Sequence, residues 1–167
     1  MMRKLAVIWA LLGFTGLLGV AIFRLAVIAI DSWSSEMQTV HYLVLLANLV
    51  FMAYTEGYRG FQIRFSPRFA QRLLKLKTSG SALQCLLAPL YCMNYFNSAR
   101  RQLIVTYALT LMIVVFILGF RYIPQPWRGI LDAGVVLGLA WGLITTWAQS
   151  LERLLQPGRE PLNVGPA

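Results

Sequence analysis

Charge is scarce in this sequence. Only 13% of its 167 residues are Asp, Glu, Lys or Arg, and just six of them are acidic. A soluble domain carries roughly 25% charged residues, so this chain has too little polar surface to face water on all sides. Histidine occurs once, at His41, and cysteine twice, at Cys85 and Cys92. A single histidine excludes bis-histidine haem ligation, and the cysteine spacing matches no zinc motif. No Ser-His-Asp elbow, phosphate loop or metal signature is present. The sequence calls for no cofactor and no metal.

What is abundant is apolar. Hydrophobic residues make up 58% of the chain and the mean hydropathy is +0.64. Four long apolar runs lie at about 5–30, 38–55, 103–120 and 130–147. A helix crossing a ~30 Å hydrocarbon core needs roughly 20 such residues. The expected fold is therefore an all-α integral membrane protein with four transmembrane helices, in a single domain over residues 1–155. A tail rich in proline and glycine, 156–167, is expected to be mobile. The first run follows Arg3 and Lys4 as a signal peptide would, but it is longer and no small-residue cleavage site follows Phe23. It reads as an uncleaved span. As a helix it would measure ~39 Å, so it must tilt or emerge early, leaving Arg24 in the outer part of the bilayer.

The basic residues set the direction of every span. Of fifteen, eight lie in the connection 56–102: Arg59, Arg64, Arg68, Arg72, Lys75, Lys77, Arg100 and Arg101. Such a segment stays on the cytoplasmic side. With both termini inside, Arg3, Lys4, Arg153 and Arg159 join them, and only Arg121 and Arg128 fall in outer connections. The net charge of +9 then points to an anionic leaflet rather than to nucleic acid. Within the connection, Ser66-Pro67 reads as an N-cap and first-turn proline. Phe69, Leu73 and Leu76 then fall on one face, with Arg68, Arg72 and Lys75 opposite. This pattern predicts a cytoplasmic interfacial amphipathic helix ending near Lys77, with Arg64, Arg68, Arg72, Lys75 and Lys77 as lipid-headgroup ligands. Leu83 to Phe96 is too short to span and carries Pro89 in its middle, so it reads as a short re-entrant or interfacial segment. Counting it as a span would also weaken the charge bias. Cys85 and Cys92 lie on this side and are expected as reduced, inert thiols.

Three constellations stand out. Gly134, Gly138 and Gly142 repeat every fourth residue in the last span and form a helix-packing face, for an internal helix or for another subunit. Gly13, Gly16 and Gly19 repeat more loosely in the first. Arg24, His41 and Asp132 fall in the outer half of three different spans and form an intramembrane polar cluster, with Arg24 and Asp132 as its ion pair. Glu56 and Arg59 stand three apart at the inner end of span two, where an i, i+3 ion pair is expected.

The stretches EGYRGFQ, FSP, LLAPLYCM, PQPWRGI and DAGVVLGLAWG lie between Tyr54 and Trp147. Together they resemble a group of small proteobacterial inner-membrane proteins. The resemblance implies a bacterial inner (plasma) membrane location. No activity attaches to that group, so it carries over no catalytic or binding residue.

Three functions fit these residues. One is a non-enzymatic subunit or scaffold that docks a partner membrane protein, or a second copy, and contacts anionic lipid. Another is a small oligomeric transporter or channel subunit lined by Arg24, His41, Asp132 and Asn48. The last is a lipid-active enzyme working through Glu56 and Arg59, for which no nucleophile is evident.

Overall fold

The computed structural model describes residues 2–32 and 37–156. The tail expected to be mobile therefore lies, but for Gln156, outside the described residues. Among those described there are helices and turns and no strand. The elements in order are α1 (Met2–Asp31), α2 (Thr39–Met52), a π-helical segment (Ala53–Phe65), α3 (Ser66–Ser79), α4 (Ala82–Leu86), α5 (Ala88–Cys92), α6 (Arg100–Phe120) and α7 (Trp127–Leu155). Four helices are long and apolar enough to cross a membrane: α1, the unbroken helix Thr39–Ser79, α6 and α7.

Three of the four form one bundle, in which α1 runs against both Thr39–Ser79 and α7 while those two run parallel to each other. Its register is fixed by side chains along its whole length. Arg3 Nη1 donates to the Thr78 carbonyl at 2.6 Å, and Phe14 stacks on Phe65 and Phe69 at 5.4 and 5.0 Å between centroids. Trp147 Nε1 donates to Thr15 Oγ1 at 2.8 Å, and Ser32 meets α7 at Gly129. The core lies toward the Met2 end of α1. It gathers Ala10, Leu11 and Phe14 of α1 with Phe69, Leu73 and Leu76 of α3 and Ala88 and Cys92 of α5, all at most 5% exposed.

Two expectations about 56–102 are corrected here. The helix begun at Thr39 does not end near Thr55 but runs on to Ser79, so Ser66-Pro67 lies inside it and does not start a new helix. Ser66 has helical dihedrals (φ −59°, ψ −40°), and its hydroxyl bonds Thr146 Oγ1 at 2.9 Å and Thr145 Oγ1 at 3.2 Å instead of capping. Proline inside a helix loses a donor and crowds the carbonyl four residues back. The π segment just before Pro67 has wider i→i+5 turns and eases that crowding. α3 is amphipathic, but its apolar face is not offered to lipid. Phe69, Ala70, Leu73 and Leu76 are 0–1% exposed because α1, α5 and α7 cover them. Burial in a close-packed protein interior fixes these side chains more tightly than a fluid bilayer would.

Leu83 to Phe96 does not span. Its two single-turn helices climb along α1: Trp9 Nε1 donates to the Leu86 carbonyl at 3.1 Å, and Pro89 seats against Gly13. A methyl group at Gly13 would overlap the proline ring, so the glycine is what lets α5 approach. α6 stands apart. None of its residues is buried and no helix packs along it. Tyr95 ties it to the preceding turn, through Thr110 Oγ1 at 2.7 Å and through Tyr107, whose hydroxyl donates to the Tyr95 carbonyl at 3.2 Å.

Candidate functional site

The polar side chains of the bundle concentrate on one seam, between the Thr39–Ser79 helix and α7. The seam exists because α7 presents a strip without side chains. Gly134 lies against Asn48 and Met52, Gly138 against Glu56, and Gly142 against the Phe61 ring. A β-carbon at Gly134 or Gly142 would overlap those groups. Gly57 repeats the device from the other side, where an added carbon would come 2.9 Å from Trp141 Cγ. The helix-packing face is thus filled from within the chain.

Close approach lets short polar side chains reach across. Asn48 Nδ2 donates to the Ile130 carbonyl at 2.7 Å. Trp141 Nε1 donates to Gln62 Oε1 at 3.0 Å, and Gln149 Nε2 donates to the Gln62 carbonyl at 2.9 Å. In a segment that crosses lipid, water cannot satisfy such groups, so each bond fixes the register of the two helices. Gln62, Ser66, Trp141, Thr145, Thr146 and Gln149 were missed by reading the sequence. Trp141, Thr145 and Gln149 recur every fourth residue on α7, and that spacing was the available signal.

Glu56 lies at the middle of this seam, half-buried against Gly138. It makes no ion pair with Arg59, which is exposed. The reason is the winding. An i→i+5 turn holds more residues than an α turn, so position i+3 rotates off the shared face. Glu56 is therefore a carboxylate on an unusual helical segment with no cation held against it.

At the Trp127 end the expected cluster is rearranged. Asp132 is buried, and its ion partner is Arg128, with Nε to Oδ2 at 3.7 Å. Arg24 is exposed on α1 and does not pair with it. An i, i+4 arginine on the same helix needs no interhelical reach, and Asp132 takes it. His41 joins neither. Its Nδ1 accepts from the Gln38 backbone at 3.0 Å, and its ring meets Trp127 edge-on at 4.9 Å.

At the basic end, Arg72 is a clamp. Its guanidinium donates to the carbonyls of Tyr91 (2.6 Å), Phe96 (3.2 Å) and Asn97 (3.0 Å) and to Ser98 Oγ, and it lies 4.8 Å from the Tyr91 ring centre. Asn94 and Asn97, both at positive φ, shape the turn it holds. Arg72 is thereby committed within the protein and is not a free headgroup ligand. Arg64, Arg68, Lys75 and Lys77 are exposed. Cys92 is fully buried beside this turn, and burial pushes its thiol up to about 12, whereas Cys85 is partly exposed.

The fold defines a helical protein compatible with multiple membrane crossings. No family model, curated protein or solved structure matches the chain.

Proposed function

We propose that the protein is a non-enzymatic subunit of a bacterial inner membrane that docks another membrane polypeptide along α6, with both termini in the cytoplasm. Its basic end rests on the anionic leaflet. The observation that carries this reading is α6: twenty-one residues, none buried, flanked by a bundle whose own helix-packing glycines are already filled. Lipid alone satisfies an apolar surface. What favours a protein partner is the attachment. Among the described residues α6 is tied through its first half, by Tyr95 to Tyr107 and Thr110, which leaves its second half able to lie against a second chain. Arg3, Lys4, Lys75, Lys77 and Arg153 cluster at the end of the bundle assigned to the cytoplasm, which supports the orientation.

Photo-crosslinkers placed at Leu111 and Val115, both exposed, test the docking in native membranes. A discrete protein adduct is expected; adducts to lipid alone would sink the reading, and an adduct to a second copy would make the partner the chain itself. Reporter fusions after Ser79 and after Gln125 test the orientation, with internal and external readings expected respectively.

The transporter reading loses support with its lining, because Arg24 is exposed and Asp132 takes Arg128 as its ion partner. A lipid-active enzyme keeps one favouring observation, the unpaired half-buried Glu56. No nucleophile or second carboxylate stands beside it to share acid and base roles.

A further inference from the structure

We infer that the groove where the ends of α1, α3 and α7 meet binds one anionic phospholipid, its phosphate held between Lys4 and Lys77. The groove has a volume of about 250 Å³ and is lined by Lys4, Val7, Ile8, Lys77 and Leu154. It brings together two lysines from helices remote in sequence. The Arg3–Thr78 hydrogen bond fixes that meeting, since each partner is next in sequence to one of the lysines. Among the described residues no carboxylate lines the groove. Two lysines on one groove carry like charges that an anion between them would offset, and a phosphodiester supplies one charge with oxygens for both.

The floor decides between a lipid and a free anion. Val7, Ile8 and Leu154 offer hydrocarbon, which an inorganic phosphate does not use and an acyl chain does. Depth agrees. Lys4 is the last charged residue before the apolar run of α1, where headgroups would stand, and Leu5 and Ile8 beside it are 65% and 54% exposed. Basic pockets between spans on the cytoplasmic side are the usual headgroup sites. The volume admits a headgroup and the start of one chain, so the rest of the lipid would lie along the outside of α1.

This inference rests on the proposed placement of the basic end at the anionic leaflet, but not on docking along α6. The test uses the full chain in mild detergent, with phosphatidylglycerol or phosphatidylcholine added at equal concentration. Native mass spectrometry should find one phosphatidylglycerol retained per chain and phosphatidylcholine lost. The double variant Lys4→Gln/Lys77→Gln should bind about thirty-fold more weakly, given the usual worth of two lysines at an anionic surface. Lys4→Arg/Lys77→Arg should retain the lipid. Lys75→Gln, on the exposed face of α3, should leave it in place. Thermal unfolding of the unaltered protein is a second measurement that needs no variant: Tm should rise with phosphatidylglycerol and not with inorganic phosphate. Equal retention of both lipids would overturn the inference, as would a loss with Lys75→Gln as large as with the pair. An equal rise in Tm with phosphate would make the groove a free-anion site and overturn it too. Failure of the α6 crosslinks with these results intact would reject the docking reading alone.

Discussion

The carboxylate of Glu56 faces Gly138 so closely that a methyl group on the glycine would stand 2.9 Å from Oε2 and 3.0 Å from Cβ of the glutamate. Two elements depend on this one approach. A single carbon at position 138 would make the Glu56 side chain shift, and a longer side chain would press the π segment away from α7 and strain the polar bonds on either side.

The glycine strip should therefore show a graded response. Gly142→Ala places a carbon inside the Phe61 ring contact and should destabilise by about 1–3 kcal/mol, the usual range for overpacking. Gly138→Leu should exceed Gly138→Ala, because the first added carbon is already tight against Glu56. Gly16 and Gly19 on α1 have open space where a side chain would go, so Gly16→Ala should be neutral or slightly stabilising. Thermal unfolding in detergent ranks the four variants, and equal behaviour of Gly16→Ala and Gly142→Ala would refute the assignment.

Arg72 holds four acceptors on one turn with a planar fork. Lysine is a point charge and cannot reproduce that geometry. Arg72→Lys should cost about 2 kcal/mol, in line with loss of hydrogen bonds to a charged group. The loss should be local. Hydrogen exchange should rise across Tyr91 to Ser98 and leave the α2–α7 seam unchanged; a uniform rise would mean that the turn is not an independent unit.

Apolar length was legible in the sequence, and so were the four long helices. Gly134, Gly138 and Gly142 could be read as a packing face because three glycines at one helical spacing leave a groove without side chains. Continuity from Thr39 to Ser79 was not legible. Arg59, Arg64, Arg68 and Pro67 look like a connection when taken alone, and only α7 supplies the hydroxyls that satisfy Ser66 inside a helix. The missing Glu56–Arg59 pair has the same origin, since α-helical spacing was assumed where the backbone winds as a π-helix. The isolation of α6 was hidden for the opposite reason. A run that is apolar all round carries no face from which to read a partner.

The two cysteines should separate by reactivity. Cys92 is fully buried, and its thiol is raised to about 12 by burial, with the nearby Arg72 opposing the shift. A raised value leaves almost no thiolate at pH 8, the form that attacks an alkylating agent. Cys85 is partly exposed. A maleimide at pH 8 should label Cys85 in the folded protein and reach Cys92 only after denaturation. Labelling of Cys92 in the native state would show that the turn held by Arg72 opens readily.

Arg128 and Asp132 should be energetically coupled, and Arg24 should be coupled to neither. Asp132 is 2% exposed, and the Arg128 guanidinium 3.7 Å away is its ion partner. Removing Arg128 leaves a buried carboxylate without compensation, whereas removing both leaves no charge to compensate. The single variants Arg128→Ala and Asp132→Ala should each destabilise, and the double variant should fall short of their sum by about 0.5–3 kcal/mol. The same cycle run with Arg24→Ala and Asp132→Ala should be additive within about 0.5 kcal/mol, as for residues that share no contact. Chemical or thermal unfolding in one detergent measures both cycles. Coupling in the Arg24 cycle would mean that α1 turns its arginine toward α7 in the membrane, and the outer polar cluster would then be a three-helix device rather than a pair on one helix.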